Sequence, residues 1–253
     1  MISRKPWTRE ELMLAINLYC KTPFGKIHYK NPEIIKLSEI LGRSPGSVSY
    51  KLANFASLDP TIDRKGAPNI SKLDREVWQE FFSDCEEMAF QSEALLAQKT
   101  GSGIAEKKSI DDSFHIEEGK TKETVIRARV NQGFFRKMVL AAYDNTCCIT
   151  GLNITDLLIA SHIVPWSVDV KNRLNPCNGI CLNALHDMAF DKGYISISNN
   201  FNLLVSPQLK KRKSSNQSIE FLLRFEGKKI NLPSRFLPDQ DLLERHRKEI
   251  FRF

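Results

Sequence analysis

The chain has 253 residues, of which 42% are hydrophobic and 26% charged, ordinary values for a folded protein with room for a sizeable core. Lys and Arg number 37 against 30 Asp and Glu, a net charge of +7. No apolar run reaches bilayer-spanning length, MISRKPWTREE lacks the apolar centre of a secretory signal, and the six cysteines form no even framework. A cytoplasmic protein with reduced thiols is expected, with no membrane partner.

Residues 7–56 read as three helices. WTREEL opens the first, with Thr8 as N-cap and Glu11 three residues on, and Leu12, Ile16 and Tyr19 share one face. KTPFGKIHYKNP ends it with two prolines and a glycine. The second starts at Pro32, buries Ile34, Leu37 and Leu41, and stops at Gly42. Ser44 caps the third, Pro45 takes its first position, and Val48, Leu52 and Phe55 form its buried face. The tight turn LGRSPGS is a helix-turn-helix signal, in which the third helix exposes Ser47, Tyr50, Lys51 and Asn54 to phosphates or base edges. Such units also bind proteins, so contact with DNA is one of two readings.

After the turn-rich LDPTIDRKGAPN, a packing helix is expected from about Leu73 to Ala97, carrying Val77, Trp78, Phe81, Phe82, Met88 and Leu95. TGSGIAEKKSIDDSFHIEEGKT is polar and charged, with the character of a linker, and its His115 has no assigned role. The organisation expected is a helical domain over 1–99, a linker over 100–121 and a second domain over 122–253.

The second domain changes character. RVNQGFFRKMVLAAYD is helical by pattern, LLIASHIVPW is a short β-like run ended by Pro165, and NGICL is another. LHDMAFDKG reads as a short helix closed by Gly193, YISIS and FNLLVS as a hairpin around Asn199-Asn200, and PDQDLLERHRKEIF as an amphipathic helix. From Pro207 onward there are twelve Lys/Arg against six Asp/Glu, including the block Lys210, Lys211, Arg212 and Lys213. A second basic stretch runs from Lys120 to Lys137. Either is a solvated surface when taken alone; on both sides of one segment they suit a polyanion.

That segment holds His162 on the first β-like run, Asn178 opening the second, and His186 early in the helix. By itself His186, among apolar neighbours, reads as a core histidine. The order of all three suits phosphodiester hydrolysis, which needs an imidazole to deprotonate water and a divalent cation that another imidazole can hold.

The stretch from about Phe134 to Ile197, FFRKMVLAAYDNTCCITG followed by LLIASHIVPWSVDVKNRLNPCNGICLNALHDMAFDKGYISI, resembles the HNH endonuclease domain of bacterial restriction-type proteins. WTREELMLAINLY and LGRSPGSVSYKLANFASLDP resemble their leading region more loosely. The resemblance implies an α+β protein with a C-terminal ββα-metal fold. In it His162 is the general base, Asn178 the structural or orienting residue, and His186 the metal ligand. Arg173 is a phosphate-binding or loop-stabilising candidate, and Asp191 a second metal ligand or a cap. Mg²⁺ is the expected cation, with Mn²⁺ as the alternative.

Two departures stand out. Ser161 occupies the position before the base, where many such nucleases carry an Asp or His ligand. Cys147-Cys148, Cys177 and Cys181 depart from the paired Cys-x-x-Cys spacing of a zinc ribbon, so structural Zn²⁺ is not expected. The implied role is restriction of foreign double-stranded DNA, plain or base-modified, by a homodimer that contacts DNA also through Tyr50, Lys51, Asn54, Lys210, Lys211 and Arg212. The other reading is a non-catalytic helix-turn-helix regulator with an HNH-like scaffold.

Overall fold

The computed structural model describes residues 5–62, 66–102, 122–212 and 216–253. Most of the expected linker, with His115, lies outside the described residues, as does Lys213. The chain divides into two compact units, Met1–Phe135 and Arg136–Phe253. Together they make an α+β protein of helices and two small antiparallel strand pairs.

The first unit is helical: α1 (Arg9–Lys21), α2 (Pro32–Leu41), α3 (Pro45–Ala56), α4 (Lys72–Ser83), α5 (Cys85–Thr100) and the first part of α6 (Lys122–Ala142). The Thr8–Glu11 pair does cap α1: Thr8 N–H donates to Glu11 Oε2 at 2.9 Å, and Glu11 N–H to Thr8 Oγ1 at 3.3 Å. Gly42 closes α2 at φ +60°, a left-handed turn that a Cβ would strain. Leu12, Ile16, Tyr19, Ile34, Val48, Leu52 and Phe55 are all fully buried.

Two expectations fail in this unit. The single helix over Leu73–Ala97 is broken at Asp84, whose backbone leaves the helix (φ −137°) and whose carboxylate accepts Glu87 N–H at 3.2 Å to start α5. A short acidic side chain has here outcompeted the helical bond it interrupts. Lys51 and Asn54 are also not on the exposed face of α3, being 6% and 2% exposed. Lys51 Nζ reaches Asp74 Oδ1 and Oδ2 at 2.8 and 2.9 Å, and Asn54 Nδ2 donates to the Asn69 carbonyl at 2.8 Å. Tyr50 is exposed as expected.

The second unit is built on β1 (Leu158–His162) and β2 (Gly179–Asn183), an antiparallel pair that α7 (Ala184–Asp191) packs against. Leu158 pairs with Asn183 and His162 with Gly179, so α7 starts beside the beginning of β1. Arg136 of α6 fixes that edge by donating to the Leu158 carbonyl at 2.5 Å and the Thr155 carbonyl at 3.0 Å. The hairpin forms from β3 (Ile195–Ile197) and β4 (Leu203–Val205). Its connection is the longer Ser198–Asn202, with Phe201 left-handed at φ +61°. The short helices α8 (Pro207–Lys211) and α9 (Gln217–Leu223) follow, and α10 (Gln240–Glu249) packs on β3. Among the described residues no helix is long and apolar enough to cross a membrane.

Candidate functional site

His162 is the last residue of β1, half-buried, and its cross-strand neighbour Gly179 places no side chain beside it. Its Nε2 lies 3.0 Å from the Arg173 carbonyl oxygen. A carbonyl can only accept, so Nε2 carries the proton and the lone pair is on Nδ1. Burial pushes its pKa down to about 4, against the raising effect of that carbonyl, so the ring is neutral at physiological pH. The Trp166 ring meets His162 edge-on, with centroids 5.6 Å apart.

The loop from Pro165 to Cys177 holds that carbonyl in place by a run of side-chain bonds. Asp169 accepts from Asn172 N–H at 3.2 Å and from its Nδ2 at 2.8 Å, and Asn175 Nδ2 donates to Asn172 Oδ1 at 2.8 Å. Asn178, fully buried, closes the loop onto the strand end. Its Oδ1 accepts Val164 N–H at 2.9 Å, and its Nδ2 donates to the Val164 and Asn172 carbonyls at 3.1 and 3.0 Å. These bonds account for an Asn at this position: an Asp would supply the acceptor and no donor. The Arg173 side chain folds back on the same loop, Nε donating to the Trp166 carbonyl at 2.9 Å and the guanidinium lying 5.2 Å from the Trp166 ring centroid.

His186 is in the first turn of α7 and is fully buried. The α7 N-cap Asn183 turns its Oδ1 to two donors, His186 N–H at 3.0 Å and His186 Nδ1–H at 3.1 Å. The proton is therefore on Nδ1 and the lone pair on Nε2, the opposite tautomer to His162. That Nε2 is buried with no hydrogen-bond partner among the described residues. Burial lowers its pKa to about 4. Phe221, on α9, and Phe225 pack against the ring in T-shaped contacts, with centroids 5.4 and 5.7 Å away.

An imidazole whose other nitrogen is held by an amide oxygen, and whose lone pair is orphaned, has the donor character of a metal ligand. The fit is of one ligand. Asp191 follows five residues later, about 140° around the helix from His186 by helical geometry. Among the described residues no group of three or more His, Cys, Asp or Glu side chains is placed to hold an ion. Ser161 is buried on the opposite side of β1 from His162 by strand alternation, with its hydroxyl unpartnered among the described residues. Cys147, Cys148 and Cys181 are buried free thiols; burial pushes Cys181 up to about 12 and Cys148 well above its usual range, keeping both protonated.

Of the other candidate residues, Lys210, Lys211 and Arg212 sit exposed at the end of α8, with Lys210 paired to Glu226. Tyr50, Lys51 and Asn54 belong to the first unit, where a cleft draws them together. The sequence reading missed Asp169, Asn172 and Asn175, although three Asn in KNRLNPCN were a visible sign of side-chain-bonded turns. It also missed His246 on α10. That ring is buried, stacks 3.8 Å from Phe190, and bonds to Ser196 Oγ at 2.9 Å and the Phe190 carbonyl at 3.2 Å, which joins α10 to β3 and α7.

Comparison with known families places this geometry. Residues 147–198 match the family model described as HNH endonuclease, a segment that contains β1, β2, α7 and all three of His162, Asn178 and His186. No curated protein matches the chain.

Proposed function

We propose that this chain, which carries an HNH endonuclease domain, is a metal-dependent endonuclease that hydrolyses phosphodiester bonds in double-stranded DNA and serves to restrict foreign DNA. The observation that carries the reading is the pair of opposed tautomers: one imidazole with its lone pair on Nδ1 at a strand end, the other with an orphaned Nε2 on the adjoining helix.

In this reading His162 Nδ1 takes a proton from water as the water oxygen attacks phosphorus, and the bond from phosphorus to the 3′ oxygen breaks. The Arg173 carbonyl serves twice, fixing the tautomer before transfer and accepting from the imidazolium after it. Arg173, with one N–H committed to the Trp166 carbonyl, keeps others for a phosphate oxygen. Asn178 acts through the loop, as a positioning residue for that carbonyl. His186 Nε2 would hold the divalent cation, Mg²⁺ or Mn²⁺, completed by water and substrate oxygens. When bound, the cation polarises the phosphate and offsets charge on the leaving oxygen. One such site cuts one strand, so cleavage of both takes two copies or two events.

Supercoiled plasmid, with and without cytosine modification, incubated with Mg²⁺, Mn²⁺ or chelator tests the proposal. Nicking or linearisation that needs the cation and falls by about a thousandfold in His162→Ala is expected. Intact plasmid under every condition, with tight metal-independent binding, would favour the non-catalytic regulator.

A further inference from the structure

The first unit contains a cleft of about 1020 Å³, lined in part by Trp7, Arg43, Tyr50, Lys51, Asn54 and Asn69. Its volume is at the upper end of small-ligand sites, roughly 300–1,000 Å³, enough for a nucleotide. Trp7 and Tyr50 give it aromatic walls, and Tyr50 is 48% exposed. The Arg43 guanidinium lies 4.1 Å and Lys51 Nζ 5.3 Å from the Trp7 ring centroid.

The cations argue against a trap for free phosphate. Arg43 bonds Glu11 at 3.1 and 2.7 Å, and Lys51 bonds both oxygens of Asp74. Their charges are largely balanced before any ligand arrives, and only Lys5, also within 3.3 Å of Glu11, reaches well into solvent.

Asn54 supplies the second, independent sign. Its Nδ2 donates to the Asn69 carbonyl, which identifies the other amide atom as the oxygen. That Oδ1 has no hydrogen-bond partner among the described residues, although the residue is only 2% exposed. Buried acceptors in native proteins carry partners, so an orphan in the lining of a cleft calls for a donor from the ligand.

We propose that the cleft takes a single nucleobase swung out of a DNA strand, its ring against Tyr50, beside the Arg43-covered Trp7, and an N–H of its pairing edge on Asn54 Oδ1. This rests on the reading of the chain as a DNA endonuclease. A base within a duplex has both faces stacked and its pairing N–H already used; only an unstacked base offers ring and N–H together to a concave site. Every base carries an N–H on that edge, so the contact engages a base without choosing which. Tyr50 and Asn69 are the side chains that yield to admit it, both exposed and joined only by a 3.3 Å bond.

The test is binding of the intact protein, without divalent cation, to two DNA duplexes of one sequence, read by fluorescence anisotropy. One duplex carries an abasic site opposite its central nucleotide, which leaves that base unpaired. Binding about tenfold tighter to the unpaired duplex is expected, with Tyr50→Ala losing most of that preference. Asn54→Leu, checked for an unchanged melting temperature, is expected to narrow the same difference. Equal wild-type affinity for the two duplexes overturns the proposal, as does Tyr50→Ala weakening both alike. Because this assay needs neither metal nor cleavage, a plasmid that is never cut defeats the nuclease reading and leaves the cleft to be judged on its own.

Discussion

In the helical unit, buried polar groups mostly close on one another: Lys51 on Asp74, Tyr19 on Asp59 at 2.8 Å, and Asn17 on Ser92 at 2.7 Å. In the ββα unit, His186 Nε2 and the Ser161 hydroxyl are buried and open among the described residues. A closed pair returns in the folded state the bonds that water gave up, and serves stability. An open lone pair costs stability and persists where a ligand completes it. The contrast separates closed from open polarity, and in the helical unit Asn54 Oδ1 and Asn131 Oδ1 are the atoms that fall on the open side among the described residues.

The largest expected effect is on acid stability, which should differ between the units. His162, His186 and His246 all lie in the second unit, and burial holds each folded pKa at about 4 against 6.5 for the free side chain. Between those values the unfolded chain binds protons that the folded unit refuses, so stability falls as pH drops from 6.5 toward 4. At pH 5 the three together amount to a loss on the order of 5 kcal/mol. In the first unit, Glu11 is held down to about 2 by its bonds to Arg43, the Thr8 backbone and Lys5, which together outweigh the raising effect of burial. Its contribution is present above 4.5 and lost only as pH falls through that range toward 2. Hydrogen exchange followed from pH 7 to 4 should show amides of β1, β2 and α7 lose protection before those of α1 to α3. Simultaneous loss, or the reverse order, would break the comparison.

Opening a closed pair tests the other side. Lys51→Met leaves the Asp74 carboxylate buried without its cation and is expected to destabilise the helical unit by about 3–5 kcal/mol, read as a drop in its thermal midpoint. Adding Asp74→Leu should recover much of that loss, because the stranded charge, rather than the missing attraction, carries most of the penalty. A double variant no more stable than Lys51→Met would show that the pair does more than satisfy itself.

The same contrast explains what could be read from the chain. The Thr8–Glu11 box, the Gly42 stop and the order His162, Asn178, His186 are local patterns, and each appears in the fold where its spacing puts it. Lys51 was read as exposed because its partner Asp74 is 23 residues away on another helix, beyond any periodicity. The group that sets the His162 tautomer is the Arg173 carbonyl, and a backbone atom leaves no trace in residue identity. The break at Asp84 was hidden because an Asp suits a helix interior poorly but an N-cap well, and the apolar spacing continues past it. The rings over His186 come from a stretch assigned to no element.

On the open side, His186→Ala is expected to lower cleavage by about a hundredfold and to raise the cation concentration needed for half-maximal rate. A loss of rate with unchanged cation dependence would reassign His186 to the core.

The smallest effect concerns its cover. Phe221 is 36% exposed, so Phe221→Ala gives up the buried part of the ring, and cleavage is compared at a temperature where the variant is still folded. With Phe225 it packs against the imidazole, whose Nε2 is buried, and a hydrated cation approaching a nitrogen in such apolar surroundings has to displace carbon that offers no bond in return. Truncating the ring should therefore let the cation in more readily, lowering the concentration for half-maximal cleavage a few-fold while the maximal rate holds. Faster modification of His186 by an imidazole-directed reagent should accompany it. If Phe221→Ala instead raises the cation requirement, the ring is holding the imidazole in its ligand orientation, and α9 is part of the site rather than a cover over it.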